Sequence, residues 1–214
     1  TSIFLLGWAS GGLLFGVLGD RIGRAKTMMI TILMYSLFTG LSAFSVTFWD
    51  FAMYRFLTGL GVGGEFAVGV ALVAEVMPER ARPYALSLLQ ALSAIGNVSA
   101  ALLNMAMGSL VERGVVESVW RPLFLVGAVP ALLALVIRRR LKEPERWKNV
   151  SHEGAAARKL GSYRALFSDI RWRKHALVGL GLAFSGVVGL WAVGFFTMDL
   201  VGNVLTKRFV ADGL

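Results

Sequence analysis

Three charged side chains stand in an otherwise apolar stretch of this 214-residue chain, Phe51 to Val76. Glu75 closes it, and Arg55 and Glu65 lie inside. An ionised group at the centre of a membrane helix costs at least ~2.5–3.5 kcal/mol, so it persists where it meets a partner or a wet cavity. The chemistry on offer is ionic: an arginine that pairs with a carboxylate, and a carboxylate that exchanges a proton. Arg55 lies near one edge of its stretch, so snorkelling to the boundary competes with a functional role. Glu65 lies about 15 Å deeper along a helix and cannot snorkel easily. A second set is neutral. Gln90, Asn97 and Asn104 recur every seven residues, on one helical face with Ala94 and Ala101 between them. Amides on a lipid face would be unpaired. They therefore face a cavity, where they bind a polar solute, or another helix, where each bond is worth about 1 kcal/mol or less. A third set borders the apolar runs: Asp20, Arg21 and Arg24 in one turn, Glu75 and Arg82 around another. These can form charge pairs with one another or with helix ends. Covalent chemistry is poorly served. Cysteine is absent, and the two histidines, His152 and His175, share one basic loop. No thiolate, metal-ligand cluster, P-loop or nucleophile triad is visible, so no metal or cofactor is expected.

The elements that carry these residues are long apolar runs. Hydrophobic residues make up 56% and charged residues 16%, against roughly 45–50% and 25% in soluble domains. The runs are Ile3 to Leu18, Thr27 to Val46, Phe51 to Val76, Tyr84 to Val111, Pro122 to Ile137 (extended by Trp120 and Arg138) and Ala176 to Met198. A bilayer is crossed by about 20 residues of helix. The pattern predicts an all-α membrane protein with six transmembrane helices. It excludes an ordinary soluble enzyme, and the runs are too long and too evenly apolar for barrel strands. Pro78 and Pro83 break the chain between the third and fourth runs. Arg138 to His175 is the one long polar stretch.

The net charge of +9 is explained by orientation. Most Lys and Arg fall in the Asp20–Lys26 turn, the Arg80–Arg82 turn and the 138–175 stretch, all on one side of the six runs. Positive loops stay cytoplasmic, which places both chain ends outside and the long polar stretch inside. Nucleic acid is thereby excluded as a partner. The chain opens Thr1-Ser2-Ile3 without Met or a basic leader, and reads as a fragment.

Several of these segments resemble one family. Gly16-Val17-Leu18-Gly19-Asp20-Arg21-Ile22-Gly23-Arg24 is similar to the G-x-L-a-D-R-x-G-R-K signature between helices two and three of the major facilitator superfamily. Ala25 stands where a basic residue is usual, with Lys26 one place later. Arg55-Phe56-Leu57-Thr58-Gly59-Leu60-Gly61 resembles that family's R-x-x-x-G-x-G pattern on helix four. Glu75 to Arg82 is similar to the E-x6-R signature of its sugar porters, although Pro83 replaces the usual glycine. Lys142-Glu143-Pro144-Glu145-Arg146-Trp147 resembles a shortened P-E-S-P-R motif of the same branch. Gly63-Gly64-Glu65 is more like the family's organic-acid and phosphate proton symporters. Gln90, eight residues after Arg82, matches a sugar-contacting glutamine.

The resemblance implies a helical bundle of twelve helices, of which this chain holds helices two to seven. Residues 1–137 would be the N-terminal half without its first helix, 138–175 the central cytoplasmic linker, and 176–214 the first helix of the C-terminal half and the outer loop after it. It implies a multi-pass protein of the cell (inner) membrane. Its partners would be a small polar solute (a sugar or organic acid), a proton, the lipid bilayer and the missing C-terminal half. Transport would be symport by alternating access. Arg55 would meet a carboxylate of the missing first helix, and Glu65 would be the protonation candidate. Gln90, Asn97 and Asn104 would bind solute, and Asp20, Arg21, Arg24, Glu75 and Arg82 would form the cytoplasmic gate. A transport-dead receptor on the same fold would carry an added soluble domain, and a drug or metabolite antiporter a proline-glycine signature on the fourth run. Neither mark is present in these residues.

Overall fold

The computed structural model describes residues 2–115, 118–129, 131, 132, 134, 143, 147, 161–189, 196, 197 and 200–204. Among them every regular element is a helix: α1 (Ser2–Ile22), α2 (Arg24–Ser42), α3 (Phe48–Val76), α4 (Arg82–Glu112), α5 (Trp120–Val126), α6 (Tyr163–Ser168) and α7 (Ile170–Val187). Two compact units divide between Gly161 and Ser162, inside the stretch expected to be a linker. The first holds α1 to α5 and the second holds α6 and α7.

The core of the first unit is the packing of α1 and α2 on α3. Gly7 and Gly11 on α1, and Gly59 and Gly63 on α3, are each one turn apart. A Cβ at any of the four would overlap a backbone carbonyl oxygen of the other helix: Phe56 and Leu60 against α1, Phe4 and Trp8 against α3. The facing residues climb together, so α1 and α3 run parallel. Two small-xxx-small pairs let the backbones touch where a lipid-like medium offers no hydrophobic drive. On the other side of α3, Gly61 meets Tyr35 and Thr31, and Gly69 meets Met28. One series rises as the other falls, so α2 runs antiparallel to α3. The buried face of α2 is rich in hydroxyls that bond within the helix: Thr27 to the Gly23 carbonyl at 2.8 Å, Thr31 to Met28 at 2.9 Å and Ser42 to Phe38 at 2.8 Å. Small, internally satisfied side chains keep this contact close as well.

Helix ends follow from local chemistry. Gly23 joins α1 to α2 at φ 112, a conformation that L side chains avoid. Thr47 and Asp50 form a capping box, each side chain bonding the other's backbone N–H at 3.2 Å. It starts α3 at Phe48, ahead of the apolar run. Pro83 sits in the first turn of α4, where its missing N–H costs nothing. In the second unit, Asp169 accepts from the Arg171 N–H at 2.9 Å and opens α7 at Ile170, so that helix includes Arg171, Arg173 and Lys174.

Three helices among the described residues are long and apolar enough to cross a membrane: α1, α3 and α4. Among the described residues these correspond to the first, third and fourth of the six expected runs. α2 opens on Arg24 and Lys26 and carries its row of hydroxyls. α5 ends at Val126, and residues 130, 133 and 135–137 of the fifth run lie outside the described residues. The same holds for 190–195 and 198 of the last run. α4 differs from α1, α2 and α3 in another way: it buries none of its residues and makes few contacts with α3 and α5.

Candidate functional site

The charged residues at the α1–α2 turn converge on one guanidinium. Arg24 donates from Nε (3.1 Å) and Nη2 (2.8 Å) to Oε1 of Glu75, and its Nη2 lies 2.5 Å from Oδ1 of Asp20. Asp20 and Arg24 are one turn apart across Gly23, and Glu75 comes from the last turn of α3. Gly19 leaves the room: a Cβ there would stand 3.3 Å from Arg24 Nη1. Forked, charge-assisted bonds to partly buried carboxylates are the stronger kind. Of the five residues expected at a gate, the structure thus brings Asp20, Arg24 and Glu75 together. Arg21 instead donates to the Gly161 carbonyl at 3.4 Å. Among the described residues Arg82 Nε is buried without a hydrogen-bond partner, as is the second Glu75 oxygen.

Two residues beyond the fifth run complete this end of the molecule. Glu143 accepts from the backbone N–H groups of Ala25 and Lys26, both at 3.1 Å, and Trp147 Nε1 donates to the Asp20 carbonyl at 2.7 Å. The N-terminus of α2 has no side-chain cap of its own, because Gly23 occupies that position. Glu143 supplies the missing acceptor and a negative charge at the positive end of the helix. The motif likeness at 142–147 marked the segment, and the uncapped α2 start was the signal that an acid had to come from elsewhere.

Arg55 is held by aromatic faces. Its guanidinium carbon lies 4.5 Å from the Phe4 ring centroid and 5.3 Å from that of Phe124. Phe51 backs Phe124 edge-on at 5.7 Å and Trp120 at 6.3 Å. Cation–π contact offsets part of the cost of an apolar setting. Among the described residues Arg55 makes no ion pair. Phe4 and Phe124 come from α1 and α5, and nothing local in the sequence announces them.

Glu65 is half-buried on the face of α3 that also carries Thr58, Gly61, Val68 and Leu72. It has no ion pair or hydrogen bond among the described residues. Arg55 and Glu65 do not meet. Gln90, Asn97 and Asn104 are exposed along α4. In the first unit α4 buries none of its residues and has few contacts with α3 and α5, so this amide face is uncovered there.

Known proteins resemble this chain in sequence and in fold. A Haemophilus influenzae protein assigned to metabolite transport is 36% identical over 95% of this chain and 50% of its own length. The cis,cis-muconate transport protein of Acinetobacter baylyi is 31% identical over 100% of this chain and 56% of its own. The chain thus spans about half the length of these curated relatives. A solved structure of the proton:xylose symporter XylE bound to 6-bromo-6-deoxy-D-glucose superposes with a TM-score of 0.62 at 22% identity, over 74% of this chain and 38% of that one. That likeness is one of fold. Both curated relatives are named as transporters rather than enzymes. The family model described as the Major Facilitator Superfamily matches residues 1–206, and the chain belongs to that family of multi-pass integral membrane proteins.

Proposed function

We propose that this chain is part of a secondary active transporter that carries a small organic acid together with a proton by alternating access. The observation that carries the reading is Glu65: a half-buried carboxylate in a membrane-length helix, without an ion-pair partner among the described residues. Such a group is a functional candidate by cost alone. The relative named for cis,cis-muconate and the Gly63-Gly64-Glu65 pattern support an organic acid over a sugar. Glu65 takes and releases the proton. Arg55, on its aromatic seat, meets a carboxylate from a further helix. Gln90, Asn97 and Asn104 face the transport path and hydrogen-bond the solute. Asp20, Arg24 and Glu75, with Arg21 and Arg82 beside them, close the cytoplasmic gate through charge pairs that break on opening. In this reading six of the protein's twelve spans lie within these residues, the exposed side of α4 faces the second half, and the protein resides in the cell (inner) membrane with its basic turns inside.

The test uses the full-length protein in proteoliposomes with labelled cis,cis-muconate as trial solute. Glu65→Gln is expected to abolish proton-driven accumulation and to leave counterflow measurable, since counterflow needs only binding and the alternating motion. Gln90→Ala is expected to weaken both through affinity. Accumulation by Glu65→Gln equal to the parent's would overturn Glu65 as the coupling group.

A further inference from the structure

We propose that the start of α7, with α6 ahead of it, is a docking surface for anionic phospholipid headgroups. Arg164, Arg171, Arg173 and Lys174 hold the phosphate, and Phe167 and Trp172 sit at the boundary with the acyl chains. The surface concerns the lipid and not the solute, and is independent of the role given to Glu65.

The second unit builds this surface from local chemistry. Ser162 caps α6 by accepting from the Ala165 N–H at 3.2 Å. Tyr163, Leu166 and Phe167 follow at i, i+3 and i+4, which gathers them on one side of a short helix. The rings of Tyr163 and Phe167 are exposed, and the exposed Arg164 flanks them. Asp169, extended at φ −86 and ψ 120, separates α6 from α7. It is the one acid of the sequence between Ser162 and His175, and its carboxylate accepts from the Arg171 N–H at 2.9 Å. The segment therefore carries four cations against one carboxylate that is already engaged in starting a helix.

On α7 the charges and the apolar surface are laid out as a leaflet is. At about 100° per residue, Arg171, Arg173 and Lys174 cover less than half the circumference, and Trp172 stands opposite them. Arg171 and Lys174 are separated by ~4.5 Å along the axis, within the ~5–7 Å depth of one headgroup layer. The uncharged run begins two residues later, at Ala176, and Leu177, Leu180 and Phe184 are exposed along it. Aromatic side chains such as Trp172 favour the level between these layers. All four cations are exposed, and among the described residues none makes an ion pair. The Arg171 guanidinium carbon lies 5.8 Å from the Trp172 ring centroid. Arg171 and Lys174 are like charges at i and i+3, an arrangement that destabilises a helix by itself. A phosphodiester between them removes that repulsion and accepts charge-assisted bonds from both. Nucleic acid offers the same phosphate but nothing for the apolar run two residues on. An anionic lipid satisfies both.

The test places the full-length protein in nanodiscs of equal parts phosphatidylglycerol and phosphatidylcholine. Ile170, exposed and set among the three cations on the helical wheel, is replaced by the photo-crosslinker p-benzoyl-phenylalanine. Lipid adducts are then identified by mass spectrometry. Phosphatidylglycerol adducts are expected to exceed phosphatidylcholine adducts at least about fivefold, the factor that a single surface cation supplies. In Arg171→Gln/Arg173→Gln/Lys174→Gln the ratio should fall to about one. Arg171→Lys/Arg173→Lys keeps the charge and should keep the ratio. Salt at about 0.5 M should lower it with the cations unaltered, which needs no variant to fold. A ratio near one at low salt with all four cations present would overturn the proposal, as would a high ratio that survives the three glutamines. Adducts to the protein's own chain in place of lipid would overturn it as well, because another part of the full protein would then cover the surface.

Discussion

Where α1 crosses α3, a Cβ added to Gly7, Gly11, Gly59 or Gly63 would land on a backbone carbonyl of the other helix. A Cβ added to Gly96 or Gly108 of α4 meets nothing within 4 Å. Both regions are apolar helices of membrane length, and both contain glycine among aliphatic residues. In the first, glycine fixes one interhelical geometry by contact. In the second it fixes nothing within this unit. The contrast divides the first unit into a rigid three-helix scaffold and a helix whose surroundings lie beyond it. The aliphatic side chains of α4, such as Leu88, Ile95 and Leu102, are at no disadvantage against lipid. Its amides are, and Gln90, Asn97 and Asn104 need water, solute or another helix. A wall of a transport path meets both requirements.

The largest effect should follow from breaking the scaffold side of that contrast. In Gly59→Leu the new Cβ would overlap the Phe4 carbonyl oxygen and stand 3.0 Å from the Trp8 backbone nitrogen. Backbone cannot rotate away as a side chain can, so α1 and α3 must separate. The cost should exceed the ~1–3 kcal/mol of an ordinary overpacked site. We expect no monodisperse peak by size-exclusion chromatography in mild detergent. A variant that elutes and melts like the parent would mean that α1 and α3 do not cross at these glycines.

That scaffold was only partly legible in the sequence. The apolar runs gave the helices, and the turn signature placed Asp20 and Arg24 together, because the determinants are local. The partners of Arg55 are not local: Phe4 and Phe124 are separated from it by whole helices, and a phenylalanine in an apolar run carries no mark of which ring will lie under a guanidinium. Glu143 was half-visible, since a motif likeness marked the segment, but its task is set by the lack of a cap at Gly23. Gln90, Asn97 and Asn104 lie at seven-residue spacing within one helix, α4. What covers that stripe is a tertiary matter that its spacing could not determine.

A middle effect compares two arginines across the same boundary. Arg24 gives its guanidinium to Glu75 and Asp20, whereas the Arg82 Nε, at the first residue of α4, is buried without a partner among the described residues. Arg24→Ala should lower unfolding stability by about 2 kcal/mol, because two partly buried carboxylates lose charge-assisted bonds. Arg24→Lys should recover only part of that, since an ammonium cannot reproduce the fork. Arg82→Lys should stay within about 0.5 kcal/mol, as it breaks no bond formed in the first unit. Detergent thermal melts of the three variants measure the order. If Arg82→Lys costs as much as Arg24→Ala, Arg82 has a partner in the whole protein and the charge cluster extends onto α4.

The smallest effect belongs to Gly96 itself. Replacing an uncovered helical glycine by alanine removes backbone entropy from the unfolded chain and gains no more than about 1 kcal/mol. Gly96→Ala should therefore leave stability equal or slightly higher. Its transport consequence separates two surroundings for α4. If the Gly96 side faces lipid or the water of a solute path, Gly96→Ala and the bulkier Gly96→Leu should both leave counterflow close to the parent's, because neither adds a contact. If another helix of the complete protein presses there, the alanine should be tolerated and the leucine should not. Asn97 is the next residue, about 100° around the helix. A leucine that abolishes counterflow while Asn97→Ala only weakens it would place a packed helix and a solute path on adjoining faces of α4. Equal tolerance of both glycine variants would leave the amide stripe as the only side of α4 that needs covering.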